Sequence, residues 1–148
     1  LIAGSIVDEP YYERLKGLLK RYNISDHVVF LGRLDRSELK ELYSRCKAFV
    51  FTSPFENFAY TLVEAMSCGA PIIATNTTAM PETCGNAALY FSPDKEEELS
   101  SCIDRFLGDE NLRVLYKEKA LIRAEKFDVY SVVNRKTNEL LEGLIDKL

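Results

Sequence analysis

Glu56 and Glu64 stand eight positions apart in the stretch 53–75, SPFENFAYTLVEAMSCGAPIIAT, and are the residues whose types and spacing best suit chemistry. Glu56 falls in a polar loop after the apolar run 48–51, and Glu64 sits among Leu62, Val63, Ala65 and Met66. A carboxylate on such an apolar face loses hydration unless something pairs with it, and hydroxyls of a bound ligand would serve. Each glutamate also has a plainer reading. Glu56 reads equally as a solvated loop acid, and Glu64 as a helix carboxylate paired with a nearby Lys or Arg.

The elements around the pair must present both at one place. Residues 48–52 (AFVFT) form a short apolar run rich in β-formers, as a buried parallel strand should be, and Pro54 ends it. Asn57 is the expected N-cap of a helix over 58–68, Gly69 its left-handed stop, and Pro71 the opening of a strand over 71–74. The result is a βαβ unit with its helix N-terminus at the carboxyl edge of the first strand. That edge is where open parallel sheets bind ligands, and the unpaired N–H groups of a helix start favour phosphate.

At these residues the sequence resembles the retaining, two-domain GT-B glycosyltransferases known as group 1 or family 4, whose signature runs approximately PSxxEGFGxxxxEAMAxGxPVVA. Matches flank it in the expected order: LIAGS at the start, VVFLGRLDRSELKELYSRC, then MPETCGNAALYFSP, so the likeness extends to about Phe127. By that resemblance Glu64 accepts hydrogen bonds from the ribose hydroxyls of a nucleotide sugar. Glu56 lies against the donor sugar and holds its hydroxyls, and is the expected catalytic residue. Phe58, Ala59 and Tyr60 match positions whose backbone N–H groups approach sugar and diphosphate, and Arg33 and Leu34 match the loop lining the base. Asn57 and Ala59 stand where the family usually carries glycine, the residue that lets backbone come closest to a ligand.

The resemblance further implies transfer of a hexose, with retention, from a nucleotide-diphosphate sugar to a sugar, lipid or polysaccharide acceptor. The implied partners are that nucleotide sugar, the acceptor and an N-terminal domain of the same enzyme. No cofactor is implied, because the nucleotide sugar is itself the substrate. In the family the strand at residues 1–4 is preceded by a strand and helix with a GR…KG element, so the chain is expected to be the donor-binding part of a larger enzyme. A GT-B-like sugar-nucleotide epimerase or hydrolase, and a non-catalytic nucleotide-sugar-binding domain, remain as alternative readings.

Composition sets the outer limits. At 148 residues and 47% hydrophobic the chain can bury one sizeable core, and length favours a single domain over 1–148. A net charge of −4 without a Lys/Arg cluster argues against nucleic acid. No apolar run reaches membrane-span length and no signal peptide is visible, so a cytoplasmic protein is expected. Cys46, Cys68, Cys84 and Cys102 lack a CxxC pair and His27 is alone, so no metal is expected and the thiols read as reduced and partly buried.

The remaining chain alternates strand and helix. Tyr11, Leu15, Leu18, Leu19 and Tyr22 recur at helical spacing, 27–31 (HVVFL) reads as a strand, and Asp35 with Glu38 suits a capping box. Leu39, Leu42, Tyr43 and Cys46 form the next stripe. A turn of helix is expected over 80–84 and a strand over 88–91. Helical stripes then follow: Leu99, Cys102, Ile103, Phe106 and Leu107; Leu112, Leu115, Tyr116 and Ala120; and Val133, Leu140, Leu141, Leu144, Ile145 and Leu148. The fold class is therefore α/β, a Rossmann-like parallel sheet flanked by helices with a helical C-terminal tail. Arg113, Lys117, Lys119, Arg123 and Lys126 read as a solvated basic face, with a peripheral membrane contact as a second reading.

Overall fold

A computed structural model describes residues 1–127, so the apolar stripe from Val133 to Leu148 lies outside the described residues. The chain divides into two compact units, Leu1–Leu39 and Lys40–Leu148.

In the first unit β1 (Ile2–Ala3) leads through α1 (Glu9–Arg21) and a 3-10 turn (Ser25–His27) to β2 (Phe30–Gly32), and the two strands pair in parallel. Asp8 caps α1 by accepting the Tyr11 N–H at 2.9 Å, and that cap fixes where the helix starts. Tyr12, Leu15 and Leu19 become half-buried, and the Tyr12 ring meets Phe30 edge-on at 5.0 Å. Tyr11, Leu18 and Tyr22, expected on the inward stripe, are exposed instead. An aromatic pair next in sequence, Tyr11 and Tyr12, leaves the periodicity ambiguous by one residue. The strand expected from His27 starts at Phe30, because the His27 N–H bonds the Ile24 carbonyl at 3.0 Å and closes the turn. Gly32 ends β2 at φ +68°, where a side chain would be strained, and the chain turns there into the Arg33 loop.

Helix α2 (Arg36–Arg45) begins with the expected capping box. Asp35 Oδ1 accepts the Ser37 and Glu38 N–H groups at 2.8 and 2.9 Å, and Glu38 Oε2 accepts the Asp35 N–H at 2.8 Å.

The second unit runs β3 (Phe49–Phe51), α3 (Tyr60–Ser67), β4 (Ile72–Thr75), α4 (Ala79–Cys84), β5 (Ala88–Phe91), α5 (Glu96–Gly108) and α6 (Glu110–Ala124). Its strands form a parallel sheet ordered β3-β4-β5, with Phe49 opposite Ile72 and Ile72 opposite Ala88. All four residues of the central strand β4 are buried, which is why it reads as an unbroken apolar run rather than an alternating one. Against one part of the sheet Ile73, Leu89, Phe91, Cys102 and Phe106 make a core, joined by Val50, Leu99, Ile103, Leu112 and Tyr116. Leu107 and Leu115, assigned to the inward stripes, are exposed.

Two of the five residues read as a solvated basic face are structural. Arg113 donates to the Phe106 and Leu107 carbonyls at the end of α5, and Arg123 donates to the Thr83 and Glu82 carbonyls at the end of α4. A guanidinium is suited to this, since the last carbonyls of a helix lack partners and carry the negative end of its dipole.

Candidate functional site

The second unit builds its candidate site on the β3–α3 connection. β3 ends at Phe51, and α3 starts at Tyr60, two residues later than expected. The residue at the N-cap is Ala59, which has no hydrogen-bonding side chain, and Asn57 lies too far upstream to cap the first turn. The Ala59 carbonyl accepts the Leu62 N–H at 3.0 Å and starts the helix. The N-terminus of α3 thus has no side-chain cap, its Tyr60 N–H bonding the Phe58 carbonyl at 3.1 Å, and it lies at the carboxyl edge of parallel strands, flanked by Glu56 before it and Glu64 one turn within it. At the other end Gly69 adopts φ +70°, with its N–H on Met66 and the Ala70 N–H on Ala65, the paired bonds of a Schellman stop.

Burial separates the two glutamates. Leu62, Ala65 and Met66 point into the core, which rotates Glu64 outward, so its carboxylate is exposed rather than dehydrated on an apolar face. No ion pair to Glu64 forms among the described residues. Its charge reaches Tyr43, whose hydroxyl is raised above its ordinary pKa first by burial and then by Glu64. Glu56 is half-buried, between exposed Phe55 and exposed Asn57. Phe58 and Tyr60 are exposed too, with ring centroids 4.6 Å apart, while Ala59 is buried.

What holds the Glu56 loop was not among the residues singled out by sequence. Three threonine hydroxyls from the end of β4 and the loop after it bond the 53–56 backbone. Thr75 Oγ1 donates to the Ser53 carbonyl at 2.7 Å and Thr77 Oγ1 to the Pro54 carbonyl at 2.8 Å, and Thr78 Oγ1 accepts the Glu56 N–H at 3.1 Å. The polar run TNTT at 75–78, closing and following a buried strand, was the available signal.

In the first unit Arg33 and Leu34 line an open depression of about 560 Å³ together with Asp35, Arg36 and Glu38, just past the carboxyl end of β2. In the second unit a groove of about 610 Å³ is lined by Val63, Ser67, Leu121, Ala124, Glu125 and Phe127. Neither takes in Glu56 or Glu64. The thiols stay apart from this chemistry: all four cysteines are free, and burial pushes Cys84 up to about 12, against the opposing charge of Arg123.

Comparison with known proteins bears on this arrangement. The family described as glycosyl transferases group 1 matches residues 1–123. The chain is 32% identical over 110 residues to O-antigen chain mannosyltransferase B of Escherichia coli, covering 74% of this chain and 29% of that protein. It is 30% identical over 132 residues to an N-acetylgalactosamine-N,N'-diacetylbacillosaminyl-diphospho-undecaprenol 4-alpha-N-acetylgalactosaminyltransferase of Campylobacter jejuni, covering 87% and 36%. Among solved structures, sucrose-phosphate synthase from Thermosynechococcus elongatus superposes with a TM-score of 0.78 at 26% identity, covering 98% of this chain and 38% of that one. Anabaena Alr3699/HepE, solved in complex with UDP and glucose, shares the fold with a TM-score of 0.80 at 24% identity, covering 95% and 39%. The chain thus spans well under half the length of each.

Proposed function

The chain belongs to the group 1 glycosyl transferases as a C-terminal domain of the GT-B fold, and from that premise we propose that it binds a nucleotide-diphosphate sugar and takes part in transferring the hexose with retention. The observation that carries this reading is the open N-terminus of α3 with a glutamate on either side, at the carboxyl edge of a parallel sheet. An uncapped helix start presents N–H groups to a diphosphate. Carboxylates accept paired hydroxyls, which ribose and hexose both offer.

In this scheme Glu64, exposed on the first turns of α3, takes the ribose hydroxyls. The backbone of Phe58, Ala59 and Tyr60 meets the sugar and diphosphate, with Asn57 at the turn beside them. Glu56 holds the hexose hydroxyls. During transfer the bond from the anomeric carbon to the diphosphate breaks, a bond to the oxygen of an acceptor hydroxyl forms on the same face, and the hydroxyl proton passes to the departing diphosphate. Negative charge grows on the departing diphosphate, where the helix dipole and N–H groups stabilise it, and Glu56 keeps the sugar near attack geometry. The E. coli and C. jejuni relatives, named for an O-antigen chain and a diphospho-undecaprenol carrier, support a polysaccharide or lipid-linked acceptor. No helix among the described residues is long and apolar enough to cross a membrane. We place the reaction in the cytoplasm, with any membrane contact peripheral.

Glu56→Ala in the full-length protein tests the assignment. Donor turnover is expected to fall by about two orders of magnitude, the scale of a misplaced reacting group. Turnover near the parental rate would remove Glu56 from the site.

A further inference from the structure

Asn23 and Thr78 are the non-glycine residues with left-handed φ among those described. Asparagine tolerates such a backbone, whereas a β-branched side chain does not. Thr78 is the more extreme of the two kinds of residue, at φ +46° and ψ −124°, a region that glycine alone enters freely. A turn that needed only this conformation would be served better by glycine. Threonine brings a hydroxyl, and that hydroxyl is used on both sides: it accepts the Glu56 N–H at 3.1 Å and donates to Met80 Sδ at 3.9 Å. Met80 is fully buried, so the hydroxyl is braced against a fixed point of the core.

We propose that Thr78 is a positioning residue for Glu56, its strained backbone aiming a hydroxyl that fixes the Glu56 amide and with it the origin of the carboxylate. The neighbouring bonds explain why this residue rather than its neighbours sets the position. Thr75 and Thr77 hold Ser53 and Pro54, two and more residues before the carboxylate, while Thr78 alone bonds Glu56 itself. Strain held at a site by surrounding structure is a recognised way to fix a reacting group. The inference rests on the reading of Glu56 given above.

Two substitutions in the full-length protein separate positioning from folding. Thr78→Gly relaxes the backbone but removes the hydroxyl, and Thr78→Ser keeps the hydroxyl. Each is compared with the parent and with Glu56→Ala for melting temperature and for nucleoside diphosphate released from a panel of UDP-, GDP- and ADP-hexoses. For Thr78→Gly the melting temperature is expected to hold or rise while turnover falls about tenfold or more, with KM for the donor changed by less than about threefold. Thr78→Ser is expected to turn over within about twofold of the parent. A merely structural threonine would give the opposite pairing, glycine as active as the parent. Parental turnover in Thr78→Gly, a lowered melting temperature in that variant, or Thr78→Ser as slow as Thr78→Gly would each overturn the inference. If Glu56→Ala is inactive while Thr78→Gly is fully active, the positioning role alone fails. If Glu56→Ala retains parental turnover, the site reading fails and this role with it.

Discussion

At the scale of residues, hydroxyls decide where the Glu56 loop stands. Thr75 closes β4 with its side chain fully buried, and its hydroxyl donates to the Ser53 carbonyl at 2.7 Å. Valine has the same shape without the donor, so Thr75→Val leaves the packing intact and removes one hydrogen bond from the Ser53 carbonyl. A bond lost in this way costs about 1–3 kcal/mol. Urea unfolding of the parent and the variant should show that loss as a lower midpoint with an unchanged slope, and an unchanged midpoint would mean that the loop is held by something else. Glu56 and Glu64 were legible in the sequence because a signature names them by order alone. The threonines were not, since each bond joins residues 22 or 23 positions apart and exists only once β3 and β4 lie side by side. Asn57 was misread as a cap for a related reason. A capping side chain looks the same in sequence whether or not the loop behind it brings it within reach of the helix start.

At the scale of elements, caps and clamps set the boundaries. Glu98 shows this best: it takes the Lys95 ammonium at 2.9 Å and the Ser92 N–H at 2.8 Å, tying the start of α5 to the exit of β5. Lys95 first and the Ser92 N–H second lower the carboxyl from about 4.5 to about 2. A carboxyl whose folded value is depressed contributes stability above its unfolded value, and that contribution is lost as pH falls toward the folded value. The stability gap between the parent and Glu98→Gln should therefore be full at neutral pH and shrink between about pH 4.5 and pH 2. A gap independent of pH across that window would show that the clamp does not depend on the charge. Element legibility followed the same physics. β5 and the capping box before α2 appear where the sequence placed them, because an apolar run and a local acid pair are self-contained signals. The inward face of α1 was legible only in part: Leu15 and Leu19 are half-buried as the spacing implied, but Tyr12 and not Tyr11 meets Phe30.

At the scale of the whole molecule, the ordered set of motifs carried the fold class. Strand and helix alternate, every observed strand pair is parallel, and α5 and α6 close the described chain. The division of the strands into two hydrogen-bonded sets was not legible, since pairing depends on edges that no single stretch encodes. On the proposed function this chain carries the donor site, with Glu64 on the ribose. Calorimetric titration of the full-length protein with UDP-, GDP- and ADP-hexoses, run beside Glu64→Ala, tests it most directly. Saturable binding to one nucleotide class is expected, with a loss of about tenfold or more in affinity in the variant, the worth of a charged hydrogen bond. Equal affinity in parent and variant, or no binding of any of the three by the parent, would contradict it.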